Sequence, residues 1–549
     1  MRVRWVAVTA AVATTVGIVA LAAGAGAAPT VALSVNVLSA RHAISPFIYG
    51  VNFASDVAGL KNAYRIPVNR WGGNATSRYN YKTQFTNTGS DWYFENIRQT
   101  GAATLESFVA GNKKAKMTSV VTVPMIGYVA KQGSATQHPF TCGFTAAMYP
   151  QQDSFDPYDP NCGNGQHNNQ PLQPQAPTVT SQAAPASWDG AMVSYLVKKF
   201  GTAAKGGVSI YELDNEPVLW NSTHRDVHPN PLSYNELKSK SLATAAAIKK
   251  ADPTAKVLGP SDWGYCAYFY SAVDNCGQAS SDRAAHANMD LAPWYLQQFA
   301  AASAKAHKRL LDYFDEHFYP QEQSATQGVA LSPAGDAATQ ALRLRSTRSL
   351  WDPTYTDESW ISGQAHPKLA FIRLMKSWVA KYYPGTKTAI TEYNFGGLES
   401  INGALAEADV LGIFGREGLD LATLWAPPTA DQPGAFAFRM FENYDGKFSR
   451  FGDVSVKAAS TDQGQVAVYA AQRTSDKALT MMVINKTGNP LTVPLNLSGF
   501  TTRAAAMNYQ YSSANLHAIL RQPDLRVTAG RITATYPANS ITLLVLPKK

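Results

Sequence analysis

A glutamate that follows a short apolar run is the first residue of this 549-residue sequence with a setting for chemistry. Residues 211–217 read Tyr-Glu-Leu-Asp-Asn-Glu-Pro, and Pro217 stops a strand because it has no backbone N–H. Asn215 and Glu216 are therefore expected at the carboxyl end of a strand. In a glycosidase, such a glutamate protonates the glycosidic oxygen, and the asparagine hydrogen-bonds the sugar 2-hydroxyl. Taken alone, the segment also fits an ordinary acidic loop.

A second glutamate, Glu392, ends the β-rich run 388–392, three predicted strands later. A retaining glycosidase needs two carboxyl groups about 5–5.5 Å apart, one as acid/base and one as nucleophile. We therefore predict that Glu216 is the acid/base, that Glu392 is the nucleophile, and that Tyr393 hydrogen-bonds Glu392. Glu216 must keep its proton near neutral pH, which requires a pKa raised by burial and by a neighbouring carboxylate. The alternative for Glu392 is an acid at the start of a helix.

Polar and aromatic residues stand at the ends of the other predicted strands as well. Taken singly, each aromatic residue fits a packed core, but together they favour a cleft in which rings stack on sugars. The predicted substrate-binding residues are Arg70, Trp71, Asn74, Trp92, Asn215, Trp220, His317, Tyr319, Tyr393 and Trp425.

Eight short apolar runs, separated by helix-like segments, are expected to position these side chains. The runs are residues 49–53, 66–71, 119–126, 209–213, 256–259, 311–317, 387–391 and 419–425. Buried strands that alternate with helices predict an α/β fold, and eight such units predict a (β/α)8 barrel of the TIM type. A doubly wound sheet is the alternative, but the glycine-rich nucleotide turn typical of that fold is missing. Insertions at about 132–185 and 321–359 are expected on the active-site face.

The pattern changes after about Gly446, where short runs rich in Val, Thr, Ile and Leu are separated by turn residues. These runs predict an antiparallel β-sandwich at 446–549, which strands from 29–46 join. The catalytic barrel is then expected at 47–445.

The amino terminus and the cysteines both point to export. Arg2 and Arg4 precede an apolar run and then small residues, so residues 1–28 are predicted to be a secretory signal, with a membrane anchor as the alternative. In an oxidising compartment, the local pairs Cys142/Cys162 and Cys266/Cys276 are predicted to form two disulfides, and neither pair has the spacing of a zinc site. We expect a secreted monomer that has no membrane contact after the signal is cleaved.

The charge balance excludes a typical nucleic-acid binder. The formal net charge is +9, from 48 Lys and Arg against 39 Asp and Glu. The densest basic cluster, Lys113, Lys114 and Lys116, fits a solvated helix end, and no basic run with interleaved aromatic residues occurs.

Four sequence blocks resemble glycoside hydrolase family 44. They are residues 68–74 (Val-Asn-Arg-Trp-Gly-Gly-Asn), residues 214–229 from Asp-Asn-Glu-Pro to His-Pro, residues 391–397 (Thr-Glu-Tyr-Asn-Phe-Gly-Gly) and residues 410–417. The resemblance runs from about Tyr49 to Trp425. It implies a barrel with a sandwich, endo-acting retaining hydrolysis of β-1,4-glucans such as xyloglucan, acid/base Glu216, nucleophile Glu392, and a structural calcium. Ser400 departs from the family, in which histidine is frequent at this position.

A metal site is also indicated by the residues themselves. Asp153, Asp156 and Asp159 recur every three residues in the first insertion, and clustered oxygen ligands suit calcium, although a solvated acidic turn is the alternative. His224, Asp226 and His228 raise the alternative of zinc. No cofactor is expected for catalysis, because the carboxylate pair supplies a complete mechanism.

Three other functions fit parts of the same pattern. A mannanase or xylanase would use the same carboxylate pair with different sugar contacts. A transglycosylase would pass the covalent intermediate to a sugar in place of water. A non-catalytic glycan-binding protein typically lacks one of the two carboxylates, and here both are present.

Overall fold

A computed structural model describes residues 31–54, 57, 59–133, 140–502 and 505–548. The expected secretory signal, residues 1–28, lies outside these described residues. Within the described ranges, no helix has the length and apolar character needed to cross a bilayer.

Eight parallel strands close into a barrel in chain order, and the last strand pairs with the first. The predicted (β/α)8 fold is therefore confirmed, and closure of the sheet excludes the doubly wound alternative. Nearly all strand residues are buried, because the barrel packs on its own interior and on the surrounding helices. The barrel strands are Gly50–Asn52, Val68–Trp71, Thr118–Val123, Ile210–Leu213, Lys256–Asp262, Tyr313–Glu316, Lys387–Tyr393 and Leu421–Leu424.

Helices surround the barrel, and every strand is followed by at least one helix before the next strand begins. The longer helices of the described chain are Leu105–Ala115, Ala186–Phe200, Tyr234–Ala251, Leu291–Lys305, Ala337–Ser346, Phe371–Tyr382, Ile401–Glu417 and Pro433–Glu442. Shorter ones are Leu60–Ala63, Trp220–Thr223, Tyr265–Phe269 and Ser281–Ala285. Short strands in the loops after the second and third barrel strands are Phe85–Asn87, Asn96–Arg98, Tyr128–Ala130, Gln166–His167, Gln170–Pro171 and Ser181–Ala183.

The barrel interior is divided into an apolar layer and a polar layer. Near the amino ends of the strands, Val68, Val120, Ile210, Leu258, Tyr313, Ala389 and Leu421 form one buried cluster. Two residues further along the second, fourth and sixth strands stand Arg70, Glu212 and Asp315, all buried. Because side chains two apart in a strand face the same side, both layers point inward. The chemistry is therefore concentrated at the carboxyl ends of the strands.

The second sheet has ten strands and folds over its own hydrophobic core. Its strands are Leu33–Asn36, His42–Ala43, Val454–Ser460, Val466–Gln472, Leu479–Asn485, Leu491–Ser498, Ala505–Ser512, Asn515–Arg526, Arg531–Tyr536 and Ser540–Leu546. The predicted β-sandwich is confirmed, and one pair departs from the antiparallel pattern, since Leu33–Asn36 runs parallel to Leu491–Ser498. The strands between 505 and 536 were not predicted, because exposed polar residues interrupt any apolar run there.

Both predicted disulfides are present, Cys142–Cys162 and Cys266–Cys276. The first closes part of the long loop after the third barrel strand, and the second closes a loop after the fifth. Each bridge reduces the freedom of its loop in the unfolded chain. Both loops leave the carboxyl face of the barrel.

A buried ion pair connects the barrel to the sandwich. Asp409, in the helix Ile401–Glu417, accepts hydrogen bonds from Lys486 Nζ at 2.7 Å, Tyr469 Oη at 2.7 Å and Thr347 Oγ1 at 2.7 Å. The side chains of Asp409 and Lys486 are only 2% and 3% exposed, so each charge depends on the other.

Replacing Lys486 with methionine should destabilise the protein by about 3–5 kcal/mol, because Asp409 then stays buried without its cation. Arg345→Met, which removes the exposed pair Arg345–Glu358, is the control and should cost under about 1 kcal/mol. Denaturant unfolding measures both. The double variant Asp409→Leu/Lys486→Met should recover much of the loss, and a Lys486→Met variant as stable as the control would contradict a structural role for this pair.

Candidate active site

Glu216 stands just beyond the carboxyl end of the fourth barrel strand in a left-handed backbone conformation, φ 45°. Its N–H donates to Ser261 O at 3.0 Å, which ties the turn to the end of the fifth strand. The side chain is 14% exposed, and burial raises its pKa to about 7, against the opposing effect of Arg70. Asp91 and Glu212 raise the pKa further by charge repulsion. Glu216 therefore holds a proton near neutral pH.

Glu392 lies on the seventh strand, and its direction depends on an irregularity in that strand. The pairing register with the eighth strand shifts between Ile390 and Tyr393. Such a bulge re-aims the side chains that follow it. Thr391 reaches Asp315 within the barrel, and Glu392 still points into the site, where its carboxylate receives hydrogen bonds from Arg70 and Tyr319. Tyr393 turns outward.

The prediction that Tyr393 binds Glu392 was therefore wrong. Tyr393 Oη donates to Glu407 Oε1 at 2.8 Å, and the ring is fully buried against Phe414 on the helix behind the barrel. The partner of Glu392 Oε2 is the hydroxyl of Tyr319, at 2.8 Å. Tyr319 comes from the loop after the sixth strand, so it approaches from the neighbouring strand end.

Arg70 occupies the centre of the site and has no exposed surface. Its Nη1 donates to Glu392 Oε1 at 2.6 Å, its Nε donates to Glu212 Oε2 at 2.8 Å, and its Nη2 donates to Asn215 Oδ1 at 2.8 Å. Burial disfavours the cation, but the charges of Glu212 and Glu392 outweigh it and raise the pKa of Arg70 above its ordinary value. A permanent positive charge therefore stands 2.6 Å from Glu392 Oε1 and forms a charge-assisted hydrogen bond with it.

His317 lies between the two glutamates. Its Nδ1 is 2.9 Å from Glu216 Oε1 and 3.6 Å from Glu392 Oε2. One oxygen of each glutamate and a ring nitrogen of His317 all lie within 4.8 Å of one another. Burial lowers the pKa of His317, so the ring is neutral at pH 7 and shares one hydrogen bond with Glu216.

A cavity of about 330 Å³ adjoins these groups. Trp71, Asn74 and Trp425 line it, as does Asp91. Asn74 joins the cavity to the site, because its Oδ1 accepts from Asn215 Nδ2 at 3.1 Å and its Nδ2 donates to Asp91 at 3.1 Å. The structure thus brings Arg70, Trp71, Asn74, Asn215, His317, Tyr319 and Trp425 together around the two glutamates or at this cavity.

Gly73 shows why a glycine is needed beside Trp425. Its φ is +89°, and a Cβ atom there would lie 2.6 Å from Cη2 of the tryptophan ring. The indole therefore rests directly on the backbone of the second strand end. This contact fixes one wall of the cavity.

Two other predicted tryptophans have different positions. Trp220 is fully buried against His228, so its prediction as a sugar platform was wrong: the turn after Pro217 directs the ring into the core. Trp92 is 41% exposed, and its ring is near the exposed ring of Tyr158 at 6.2 Å. Trp92 remains a candidate sugar contact on the loops of the second and third strands.

Trp360 was missed by the sequence reasoning. It is 42% exposed in the loop after the sixth strand, where its ring contacts Tyr265 at 5.4 Å. Its Nε1 is 3.4 Å from Gln321 Oε1, two residues after Tyr319. No predicted strand end precedes Trp360, so the only signal in the sequence was its position directly after the second insertion.

Three buried carboxylates that were also missed hold the strand ends in place. Glu212 binds Arg70 and accepts from Thr122 Oγ1 at 2.8 Å. Asp214 accepts from the N–H groups of Met125 and Ile126, and Asp262 accepts from the N–H of Val218 at 3.0 Å. Residues two apart in a strand face the same side of the sheet, and this alternation is the sequence signal that would have found Glu212.

A second cluster of carboxylates lies where the first insertion meets the loop after the second barrel strand. Glu95, Asp156 and Asp159 are at most 1% exposed, and an oxygen of Glu95 and one of Asp159 are within 4.8 Å. Burial and the charges of Asp156 and Asp159 raise the pKa of Glu95 to about 9. This cluster differs in one residue from the predicted metal ligands Asp153, Asp156 and Asp159. Asp153 is exposed and accepts hydrogen bonds from the N–H groups of Asn168 and Asn169, and Glu95 stands in the cluster in its place.

The zinc alternative at residues 224–228 has no converging ligands among the described residues. Asp226 accepts two hydrogen bonds from Arg78, and His228 binds Glu236 at 2.8 Å. His224 is fully buried, and burial lowers its pKa well below the usual value. The three side chains serve different partners.

Comparison with known proteins gives consistent matches. The family model described as glycoside hydrolase family 44 matches residues 85–322. Endoglucanase A of Paenibacillus lautus is 32% identical over 536 residues, which cover 95% of this chain and 73% of that protein.

Solved structures extend the match to nearly the whole chain. A bifunctional glucanase–xylanase from a metagenome library superposes with a TM-score of 0.88 at 39% identity, covering 95% of this chain and 99% of that chain. A Paenibacillus polymyxa xyloglucanase of glycoside hydrolase family 44, solved with xyloglucan, superposes with a TM-score of 0.79 at 31% identity, covering 95% and 100%.

Proposed function

The chain belongs to glycoside hydrolase family 44, and from this premise we propose that it is a secreted, retaining, endo-acting hydrolase of β-1,4-glucans, xyloglucan included. That it is a glycoside hydrolase follows from the family. The observation that carries the retaining mechanism is the pair Glu216 and Glu392, with oxygens within 4.8 Å of each other. Retaining enzymes place their carboxyl groups about 5–5.5 Å apart, whereas inverting enzymes need about 6.5–9.5 Å to admit a water.

In the first step, Glu392 attacks the anomeric carbon while Glu216 gives its proton to the departing glycosidic oxygen. The pKa of Glu216, about 7, keeps this proton available near neutral pH. Arg70 donates a hydrogen bond to one oxygen of Glu392 and Tyr319 donates to the other, which orients the lone pairs of the carboxylate. A covalent glycosyl–enzyme ester forms, and one glycan fragment leaves with the proton.

In the second step, Glu216, now a carboxylate, removes a proton from water as that water attacks the same carbon. The ester to Glu392 breaks, and the sugar keeps its β configuration after two inversions. His317 contacts Glu216 through Nδ1 and stays neutral, so it orients the carboxyl group without competing for the proton. A sugar hydroxyl that replaced the water would give transglycosylation.

Sugar contacts are proposed for Asn74, Trp425 and Trp71 at the cavity, and for Trp92 and Trp360 on opposite sides of the carboxyl face. Exposed rings offer flat faces to sugar C–H groups, and the asparagine amides offer hydrogen bonds. Xylan is the second candidate backbone, since the relative of highest structural similarity given above is a glucanase–xylanase. Product analysis on xyloglucan, carboxymethyl cellulose, xylan and mannan separates these substrates.

Secretion is supported by the two disulfides, which persist in oxidising compartments. We propose cleavage after the signal at 1–28, a catalytic unit at 47–445, and a sandwich unit formed by 29–46 and 446–549. The protein is proposed to act as a monomer.

Calcium is proposed at Glu95, Asp156 and Asp159. The residues fit this ion: all three offer hard oxygen ligands, and Glu95 Oε1 is buried with no hydrogen-bond partner in the described chain. Three buried carboxylates repel one another, and a divalent cation would remove this repulsion. The ion would then brace the disulfide-linked loop that carries Tyr158.

If Glu216 is the acid/base and Glu392 is the nucleophile, their alanine variants should give glycosyl azides of opposite anomeric configuration. Glu216→Ala should lower turnover of an unactivated glucan about 10²–10⁴-fold. With an aryl cello-oligosaccharide that has a good leaving group, azide should restore turnover and yield the β-glycosyl azide. Glu392→Ala with azide should instead yield the α-glycosyl azide, because the anion replaces the nucleophile. NMR of the products assigns the anomers.

The pH dependence of kcat/KM is the control for the acid/base role of Glu216. In the unmodified protein, kcat/KM should fall as pH rises through about 7, because Glu216 loses its proton. This alkaline limb should vanish in Glu216→Ala with the activated substrate. An α-azide from the Glu216 variant would overturn the assignment of both residues.

Tyr319→Phe should lower kcat about 10–100-fold, because it removes one charge-assisted hydrogen bond to the nucleophile, worth about 1.5–3 kcal/mol. Tyr393→Phe is the matched control. It removes a hydroxyl bound to Glu407, behind the barrel, so kcat should change less than about threefold while the unfolding temperature falls. Equal losses of kcat in the two variants would contradict the geometry at Glu392.

Removal of calcium should lower the unfolding temperature by several degrees, because the repulsion between the buried carboxylates is then no longer offset by the bound ion. Thermal unfolding with calcium and with chelator measures the difference. Glu95→Gln should abolish it, and Asp153→Asn, outside the cluster, should leave it intact. Identical unfolding curves in calcium and chelator would count against the site.

A further inference from the structure

A cavity of about 720 Å³ lies at the end of the barrel opposite to Glu216 and Glu392. Its lining includes Pro46 and Tyr49, just before the first barrel strand, and Arg65, just before the second. It also includes Glu442, at the end of the last barrel helix, and the segment 448–454 that leads into the sandwich. The volume is typical of small-molecule sites, which span about 300–1,000 Å³.

Glu442 is a carboxyl group without a partner. The residue is 6% exposed, and its side chain makes no hydrogen bond or ion pair with any residue in the described ranges. Burial raises its pKa to about 8, although the charges of Arg450 and Arg65 act in the opposite direction. A buried polar group that lacks a hydrogen bond is costly, so its natural partner is a ligand that enters the cavity.

Two arginines of the cavity, unlike Glu442, are exposed. Within the described chain, the guanidinium groups of Arg65 and Arg450 form no hydrogen bond and no ion pair. Both affect the pKa of Glu442 without contacting it. The guanidinium donors of Arg65 and Arg450 and the carboxyl group of Glu442 thus surround the cavity, where hydroxyl groups of a ligand can bridge them.

Phe448 supplies an apolar surface beside these groups. Its backbone adopts the left-handed conformation, φ 61°, and its N–H donates to Asn443 Oδ1 at 2.7 Å. Phenylalanine rarely adopts this conformation, which here leaves the ring 37% exposed at the cavity with Arg65 5.4 Å from its centre. Tyr49 and Phe451 add two more rings to the lining.

The charges of the lining nearly cancel. They are Arg65, Arg450 and Arg473 against Asp453 and Asp476, because a pKa of about 8 leaves Glu442 largely protonated at neutral pH, and Arg473 already pairs with Asp476. A phosphate or another strong anion would meet two carboxylates, whereas a neutral ligand rich in hydroxyl groups would find donors, acceptors and rings together. Mixed linings of this kind orient sugars by hydrogen bonds and hold them by apolar contact.

We propose that this cavity is a second, non-catalytic glycan-binding site that takes a short stretch of neutral β-glucan. The choice of glycan rests on the proposed function, because the enzyme would meet the same polymer in its cleft. A chain held at the underside of the barrel would keep the enzyme on the polymer between cleavage events. Linking two sites in one protein raises the effective concentration of the polymer at the cleft.

The test uses Glu216→Gln protein, which binds glucan without turning it over, and cellotetraose as the probe. Calorimetry should give two sites per chain, and hydrogen exchange should slow in 443–453 as well as at the cleft. Adding Phe448→Ala together with Arg65→Ala should reduce the stoichiometry to one and abolish protection of 443–453. The matched control is Leu520→Ala together with Lys61→Ala, since both are exposed residues outside this cavity. It should retain two sites.

In protein with an intact Glu216, Phe448→Ala/Arg65→Ala should hydrolyse a soluble short cello-oligosaccharide normally, which shows that the fold is kept. A stoichiometry of one before mutation, or protection of 443–453 that survives the double change, would overturn the proposal. The wild-type protein is assayed in parallel on xyloglucan and soluble cellulose. No hydrolysis of either polymer would count against the proposed function, whereas hydrolysis with a single binding site would count against the second site alone.

Discussion

Arg70 is a fully buried cation, and the geometry of the catalytic face depends on what it binds. One guanidinium group contacts Glu392 of the seventh strand, Glu212 of the fourth strand and Asn215 beyond it. Desolvating an arginine is costly, so the pairing carboxylates must be placed accurately. The same cation therefore fixes the separation of the strand ends and holds the carboxylate of Glu392 in position.

The neighbouring glutamate has the opposite electrostatic environment. In the part of the chain that the structure describes, Glu216 receives no hydrogen bond from an arginine, and its contact is the neutral ring of His317. Burial then dominates and raises its pKa to about 7. The two carboxyl groups of one site thus have different electrostatic environments, because Glu392 forms an ion pair with Arg70 whereas Glu216 contacts His317. This difference is the physical basis for proposing different roles.

The sandwich contributes through its contact with the barrel helices. Asp409 and Lys486 join the helix after the seventh strand, which starts nine residues after Glu392, to the second domain. Rings of Tyr469 and Phe436 pack at the same boundary, with Gly412 against Tyr469 and Phe436 stacked on Tyr511. The sandwich therefore also supports the helix layer that holds Tyr393 and Glu407.

Much of this arrangement is determined by the sequence alone. The spacing of apolar runs was sufficient to predict all eight barrel strands, and Pro217 placed Glu216 just past a strand end, because both depend only on local backbone preferences. Neighbouring cysteines likewise predicted both disulfides.

Only the tertiary structure decided which way several side chains point and which distant residues meet. The bulge near Ile390 turns Glu392 inward and Tyr393 outward, and strict alternation along the strand does not predict this. Trp220 is in the core because the turn after Pro217 rotates it there. Glu95 joins Asp156 across 61 positions only once the insertion folds back. Such contacts arise from packing between separate elements, and no local pattern in the chain records them.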